Sequence, residues 1–385
     1  MEDCKKFSIV IPCFNRPSAL KRLLNSLENS NITINIDIIF SIDYSGNSKV
    51  EDVATAFEWK HGNKKIIKHN SNIGLRNNII FCGNLTKDYD AIIVLEEDLI
   101  VAYDFLNYSL QAYNFYLDQD EIAGISLYKY EYSEFSSHRF YPLNWGYDVC
   151  FIQWPSSRGQ LWTKKQWESF YTWYIKNESN INEYNIPSAA KKWEKSWKKF
   201  YAAYIVDTNK YFVYPFYSFT NVLPTIGENV TSDDDIINTV SLFIGHKSNY
   251  NFQKWNHKIP MYDSFLEMDN LYISLNNKET RVDMNLYASK EINNLKYEYF
   301  ITSNKIANAP ILKSWAASHI PFELNIINDV KGDSFYLYSK EYFKKQSLKP
   351  YKKRNLRVLF TSKDCALFIL HRIQMKIKSL FYCLF

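Results

Sequence analysis

Glu96, Glu97 and Asp98 put three carboxylates side by side within DYDAIIVLEEDLIVAYDFLNY, residues 88–108. The run Ala91–Leu95 before them is apolar, and an apolar pattern resumes after them. Charge held between buried segments is costly unless a cation compensates it. A hard divalent ion such as Mg²⁺ or Mn²⁺ suits oxygen ligands and usually brings phosphate oxygens as co-ligands. The plainer alternative is a solvated acidic loop, which the flanking apolar runs disfavour.

The elements that must position this triplet alternate in type. FSIVIP (7–12) reads as a strand, and PSALKRLLNSLENS as a helix with Leu20, Leu23, Leu24 and Leu27 at helical spacing. Pro17 suits a first helical turn. INIDIIFSID (34–43) is a second strand, followed by a helix near 50–60. KKIIKHN (64–70) is a third strand, GLRNNIIFCGNL a further helix, and AIIVLEED a fourth strand. This rhythm predicts βαβ units and an α/β fold with a mainly parallel central sheet. Ligands of such sheets bind beyond the carboxyl ends of the strands. That edge receives CFNRP (13–17), DYSGN (43–47), HNSNIGLRNN (69–78) and EEDL (96–99), which hold most of this half's unusual polar residues.

The later chain is less regular. Trp and Tyr are dense between 128 and 197, where WTKKQWESFYTWYIKN and SAAKKWEKSWKKFYAAYI have helical spacing. Beyond about 270 no motif is evident. Residues 364–385 are apolar with Arg372, Lys376 and Lys378 interspersed, behind the basic stretch KPYKKRNLR (349–357). Such a segment fits docking on an anionic membrane surface. With 46% hydrophobic residues among 385, a large core is expected. The net charge of +5 is mild, and no basic nucleic-acid motif accompanies it, so nucleic acid is not an expected partner. Ten glycines leave little for a Gly-rich phosphate loop. The six cysteines form no C-x-x-C pair and read as reduced packing residues of a cytosolic protein.

Taken in order, FSIVIPCFNRP, SIDYSGN, NSNIGLRNN, VLEEDLIVAYDF, RGQLWTKKQW and WEKSW resemble the glycosyltransferases of GT-A fold. They are closest to the family-2 type and the N-acetylglucosaminyltransferase-I-like group. The resemblance covers about 7–270. It implies a catalytic domain over 1–270, a helical or mixed C-terminal extension over 271–363, and the amphipathic basic helix over 364–385.

The resemblance also implies roles. Asp98 would bind Mn²⁺ or Mg²⁺, while Glu96 or Glu97 contacts the ribose or a metal-bound water. Pro12, Asn15 and Arg16 would line a uridine pocket, Asp43 would lie near base or ribose, and Arg76 would face phosphate. Glu194 is the implied base, with an i,i+4 partnership to Lys198 as its plain alternative. Trp145, Trp154 and Trp162 are candidates for an acceptor wall. Ser232–Asp235 competes for acid–base or metal work, with a solvated loop or helix start as its favoured alternative, and His246 for late metal ligation, although lone histidines are usually structural. The expected activity is metal-dependent, inverting transfer from a nucleotide-sugar, such as a UDP-sugar. The acceptor would be a glycan or lipid-linked glycan, at the inner face of a bacterial membrane, in surface-polysaccharide synthesis. A sugar-1-phosphate nucleotidyltransferase and a non-catalytic glycan-binding module are the alternatives.

Overall fold

A computed structural model describes residues 5–136, 138–223 and 239–344. Ser232–Asp235 and the segment 364–385 lie outside the described residues. The first half builds β1 (Phe7–Cys13), α1 (Pro17–Glu28), β2 (Asp37–Ile42), α2 (Lys49–Ala56), β3 (Lys64–Lys68), α3 (Gly74–Asn84) and β4 (Ala91–Val94). Then come β5 (Leu99–Val101), α4 (Phe105–Tyr116), β6 (Ile122–Ser126), β7 (Val149–Ile152), β8 (Gln160–Thr163) and α5 (Lys164–Asn177). The remainder of this part is α6 (Ser188–Lys191), α7 (Lys198–Asp207), β9 (Tyr211–Pro215), β10 (Thr220–Val222) and β11 (Met261–Tyr262).

Nine strands form one sheet in the order β11-β7-β9-β6-β8-β4-β1-β2-β3. β1, β2, β3 and β4 are mutually parallel where they pair, and β8 enters antiparallel between β4 and β6. Alternation along the strands sorts the core onto two faces. Ile9, Ile11, Ile38, Phe40 and Ile93 join the cluster packed by the leucines of α1, whereas Val10, Ile39, Ile92 and Val94 face the aromatic cluster of α5 and α7. α5 begins with a reciprocal cap between Thr163 and Gln166. Trp162, stacked on Tyr201 at 5.6 Å, belongs to that aromatic core.

The expected single helix over 188–205 is interrupted. In a continuous helix the Glu194 carbonyl would accept from the amide of Lys198; here it accepts from the Arg76 guanidinium. The turn 192–197 therefore separates α6 from α7.

A second sheet begins at Leu271. Its strands are β12 (Leu271–Leu275), β13 (Lys278–Met284), β14 (Tyr299–Thr302), β15 (Lys313–Trp315) and β16 (Phe335–Ser339), in the order β12-β13-β14-β16-β15. Two short helices accompany it, α8 (Glu323–Ile327) and α9 (Glu341–Lys344). β12 and β13 form a hairpin through Asn276 and Asn277, both at positive φ. Asparagine tolerates that conformation better than most residues, and it suits a two-residue hairpin loop. Val282, Met284, Ile301 and Trp315 join this sheet to the aromatic core of the first.

Candidate active site

The four polar patches meet at the carboxyl edge of β1–β4. Asp43, at the end of β2, accepts from the Tyr44 and Ile73 amides at 2.8 Å each and from the Gly74 amide at 2.9 Å. It thereby caps α3 and ties the second patch to the third. Arg16, after β1, donates through Nε to Glu97 Oε1 at 2.8 Å and through Nη1 to Asp98 Oδ2 at 2.6 Å. The Phe14 amide donates to the other Glu97 oxygen at 2.8 Å. One arginine thus fastens the first patch to the fourth, and Glu97 is fully buried and fully engaged.

Glu96 differs from both neighbours. No hydrogen bond reaches its carboxylate among the described residues. Burial first, and then the charge of Asp98, push it well above the usual carboxylate range, although Arg16, Lys198 and Arg158 act in the opposite direction. Lys198 and Arg158 belong to a network behind it. The Lys198 ammonium donates to the Tyr130 hydroxyl at 2.8 Å and pairs with Glu134 at 3.3 Å. Arg158 reaches Glu134 at 3.4 Å and lies over the Tyr128 ring at 4.8 Å. Enclosure opposes the charge on Glu134, but Lys198 and then Arg158 outweigh it and hold the carboxyl below its usual range. Burial holds Lys198 below the usual lysine range. Beneath the triplet, the thiols of Cys13 and Cys82 are raised by burial and are inert as nucleophiles.

Among the described residues no group of three or more His, Cys, Asp or Glu side chains forms a metal cage. The donors at the triplet suit a different kind of site. Arg16 occupies Asp98 Oδ2 and leaves Oδ1 open, and Glu96 is an adjacent carboxylate with no hydrogen-bond partner. A hard cation such as Mg²⁺ is commonly held by one or two carboxylates together with substrate phosphates and water. The two open carboxylates fit such an ion.

Residues 8–184 match the model of the family described as glycosyl transferase family 2. The matched segment is somewhat under half of the 385 residues, and it is similar to family-2 glycosyltransferases. The mixed α/β architecture around a large, mainly parallel central sheet agrees with a GT-A fold. A comparison with curated proteins returns no match. Among solved structures, TarS 1-349 of S. aureus in complex with UDP-GlcNAc is 15% identical, with a TM-score of 0.38; the match covers 59% of this chain and 61% of that one. The mannosyltransferase PcManGT from Pyrobaculum calidifontis, in complex with GDP-Man and Mn²⁺, is 8% identical, with a TM-score of 0.31, over 43% of this chain and 46% of that one. The match to TarS 1-349 thus spans about three fifths of that chain's length, and none of these likenesses decides a residue's role here.

Several residues stand elsewhere than their motifs suggest. Asp43 has both oxygens bound by backbone amides, so it anchors loops instead of presenting a carboxylate to a base or ribose. Arg76 is taken up by partners in the protein: it pairs with Glu178 at 3.1 Å, donates to the Glu194 carbonyl and lies over Phe200 at 4.7 Å. Trp154 and Trp162 are buried and offer no exposed wall, whereas Trp145 is 59% exposed. Glu194 sits on a turn with its side chain in solvent, and Lys198 pairs with Glu134 instead of with it. His246 Nδ1 lies 2.6 Å from buried Asp104, which also accepts from the Tyr250 hydroxyl at 2.5 Å. Pro12 is buried in β1 beside Ser41, and Asn15 is exposed on the loop after it.

Glu134, Arg158 and Lys198 were missed by sequence reasoning. The one available signal was Lys198–Lys199 inside the aromatic run SWKKFY, where a charge must find a buried partner.

Proposed function

We propose that the protein transfers a sugar from a nucleoside-diphosphate sugar, such as a UDP-sugar, to a hydroxyl of a glycan or lipid-linked glycan. The observation that carries this reading is the meeting of two open carboxylates, Asp98 Oδ1 and Glu96, with Arg16 at the edge where α/β sheets bind ligands. Mn²⁺ or Mg²⁺ would be held by Asp98 with Glu96 beside it, and would supply charge neutralisation to the departing diphosphate. Arg16 orients Asp98 and, through Glu97, fixes the loop after β1 against the triplet. Lys198 and Arg158 add positive potential behind Glu96, which favours an anionic donor at this edge. Asn15, exposed on the same loop, would meet the nucleoside.

Inverting transfer needs a base for the acceptor hydroxyl. Glu194 is the proposed base. It is a solvent-exposed carboxylate on the turn whose neighbours Trp193 and Lys198 pack with the Glu134 network. The family match and the parallel sheet support the class of reaction. A place in bacterial surface-polysaccharide synthesis and a peripheral membrane contact are part of the same proposal. They rest on the Asn, Lys and Tyr bias and on the basic segment 364–385. Among the described residues no helix is long and apolar enough to cross a membrane.

The test is a screen of nucleotide-sugars for slow hydrolysis with and without Mn²⁺. Release of a nucleoside diphosphate from one donor, abolished by EDTA, is the expected outcome. Synthesis of a nucleotide-sugar from a sugar-1-phosphate, or no turnover of any donor, contradicts the reading.

A further inference from the structure

A second site lies away from the carboxylate triplet, in a cleft between the loop 132–141 and the second sheet. The centre of a water molecule can range over about 100 Å³ of it, which is room for several waters or one pyranose ring. Four observations mark it as built to hold a polar ligand. Ser136 is 5% exposed, lines the cleft, and its hydroxyl has no hydrogen-bond partner. Glu323, 9% exposed, also lines it, and among the described residues its carboxylate is met only by its own backbone amide. Glu267, beside it in the wall, accepts from the Tyr287 amide at 3.3 Å through Oε1, while its Oε2 lies 3.1 Å from the Lys290 ammonium without a hydrogen bond. Aromatic surface completes the walls: Tyr287 is stacked on His138 at 4.4 Å, and Tyr141, 38% exposed, stands at the rim with Arg139.

This combination selects a ligand class. Buried carboxylates repel phosphate and other anions. A purely apolar ligand would leave Ser136 and Glu323 without partners, a cost that favours ligands carrying polar groups. Sugar hydroxyls both donate and accept, so they can donate to Glu323 and accept from Ser136 and Arg139. The tyrosine faces can pack against the ring's carbon-bound hydrogens. We propose that this cleft binds one neutral pyranose unit of a saccharide chain. The proposal stands on the cleft alone and requires neither donor nor metal.

The test uses the full chain without nucleotide or metal. A panel of glucose, galactose, mannose, rhamnose, N-acetylglucosamine, lactose and maltose is screened by saturation-transfer NMR, with protonated glucosamine as comparator. At least one neutral sugar should bind. Glu323→Gln, which weakens a charge-assisted hydrogen bond, should reduce its affinity about tenfold, and Ser136→Ala by a smaller factor. Tyr141→Ala, at the exposed rim, should weaken binding while leaving the melting transition cooperative, which guards against a merely unfolded variant. The proposal is overturned if no neutral sugar binds, if glucosamine binds while its neutral counterparts do not, or if binding survives all three substitutions unchanged. Saccharide binding in a protein that turns over no nucleotide-sugar would uphold the cleft and defeat the transferase reading.

Discussion

The sheet edge and the cleft between the sheets are built on one plan and differ in what is left open. At the edge, Arg16 joins Glu97 and Asp98, and Glu96 remains without a hydrogen bond. Between the sheets, Lys290 joins Asp263 and Glu267, and Glu323 remains. In both places one cation pairs with two carboxylates and a third stands outside the pairing. The third is pushed up by burial, Glu96 well above its usual range and Glu323 to about 7; between the sheets burial also raises Glu267 to about 7 despite its pairing with Lys290. The surroundings separate them. Glu96 has open Asp98 Oδ1 beside it and the cations Lys198 and Arg158 behind it, which suits a metal ion carrying a diphosphate. Glu323 has only the repulsive charge of Glu267 acting on it, together with a free hydroxyl and tyrosine faces, which suits a neutral polyol. An uncompensated carboxylate is thus a shared sign of a site, and its neighbours decide the ligand.

The largest expected effect breaks the comparison at the edge. Asp98→Asn should lower nucleotide-sugar turnover by about a thousandfold or more, the scale expected for losing charge stabilisation of a leaving group. A cooperative melt at the wild-type temperature would show that the loss is chemical. Glu194→Gln should reduce kcat by about a hundredfold with little change in KM for the donor, as removal of a general base does. Wild-type kcat in that variant would move the base elsewhere.

Removing a cation behind Glu96 probes stability instead. Lys198→Met leaves Glu134 with Arg158 and the Tyr130 hydroxyl, and breaking a largely enclosed pair should cost on the order of 3 kcal/mol in denaturant unfolding. An unchanged midpoint would mean that Arg158 suffices. The two raised carboxylates then predict opposite pH behaviour. At the edge, Glu96 must lose its proton to meet a cation, so Mn²⁺ affinity should climb as pH rises through its titration. Glu96→Gln should weaken and flatten that profile. Between the sheets, Glu323 is raised from 4.5 to about 7 on folding. The folded state holds the proton longer, so this group's stabilisation is present below the ordinary glutamate range and is lost as pH climbs to about 7. Glu267 is also raised to about 7, so Glu323→Gln should reduce this small slope in melting temperatures without abolishing it, and an identical slope in the variant would assign it to Glu267.

The first half of the fold was legible because its signals are local. Leu20, Leu23, Leu24 and Leu27 mark one helix, the strand runs are apolar, and the polar patches fall where those strands end. The division of labour within the triplet was not legible. Glu96 and Glu97 are the same residue type side by side, and only the path of the loop after β1 decides which one receives Arg16 and the Phe14 amide. Asp43 and Arg76 had motif positions that fit a nucleotide site, yet their partners are the amides of Ile73 and Gly74 and the carbonyl of Glu194, which no spacing in the sequence announces. The helix break at 192–197 was hidden for the same reason. The second sheet is a collection of short strands with weak alternation, and its clearest mark was the Asn276–Asn277 turn.

The central claim is that Asp98 and Glu96 form the cation-dependent half of a nucleotide site. Isothermal titration of UDP into the wild type and Asp98→Asn, each with Mn²⁺ and again in EDTA, addresses it most directly. The account predicts UDP binding that requires Mn²⁺ in the wild type and is lost in Asp98→Asn. Equal UDP binding in all four titrations, or none in any, would contradict it.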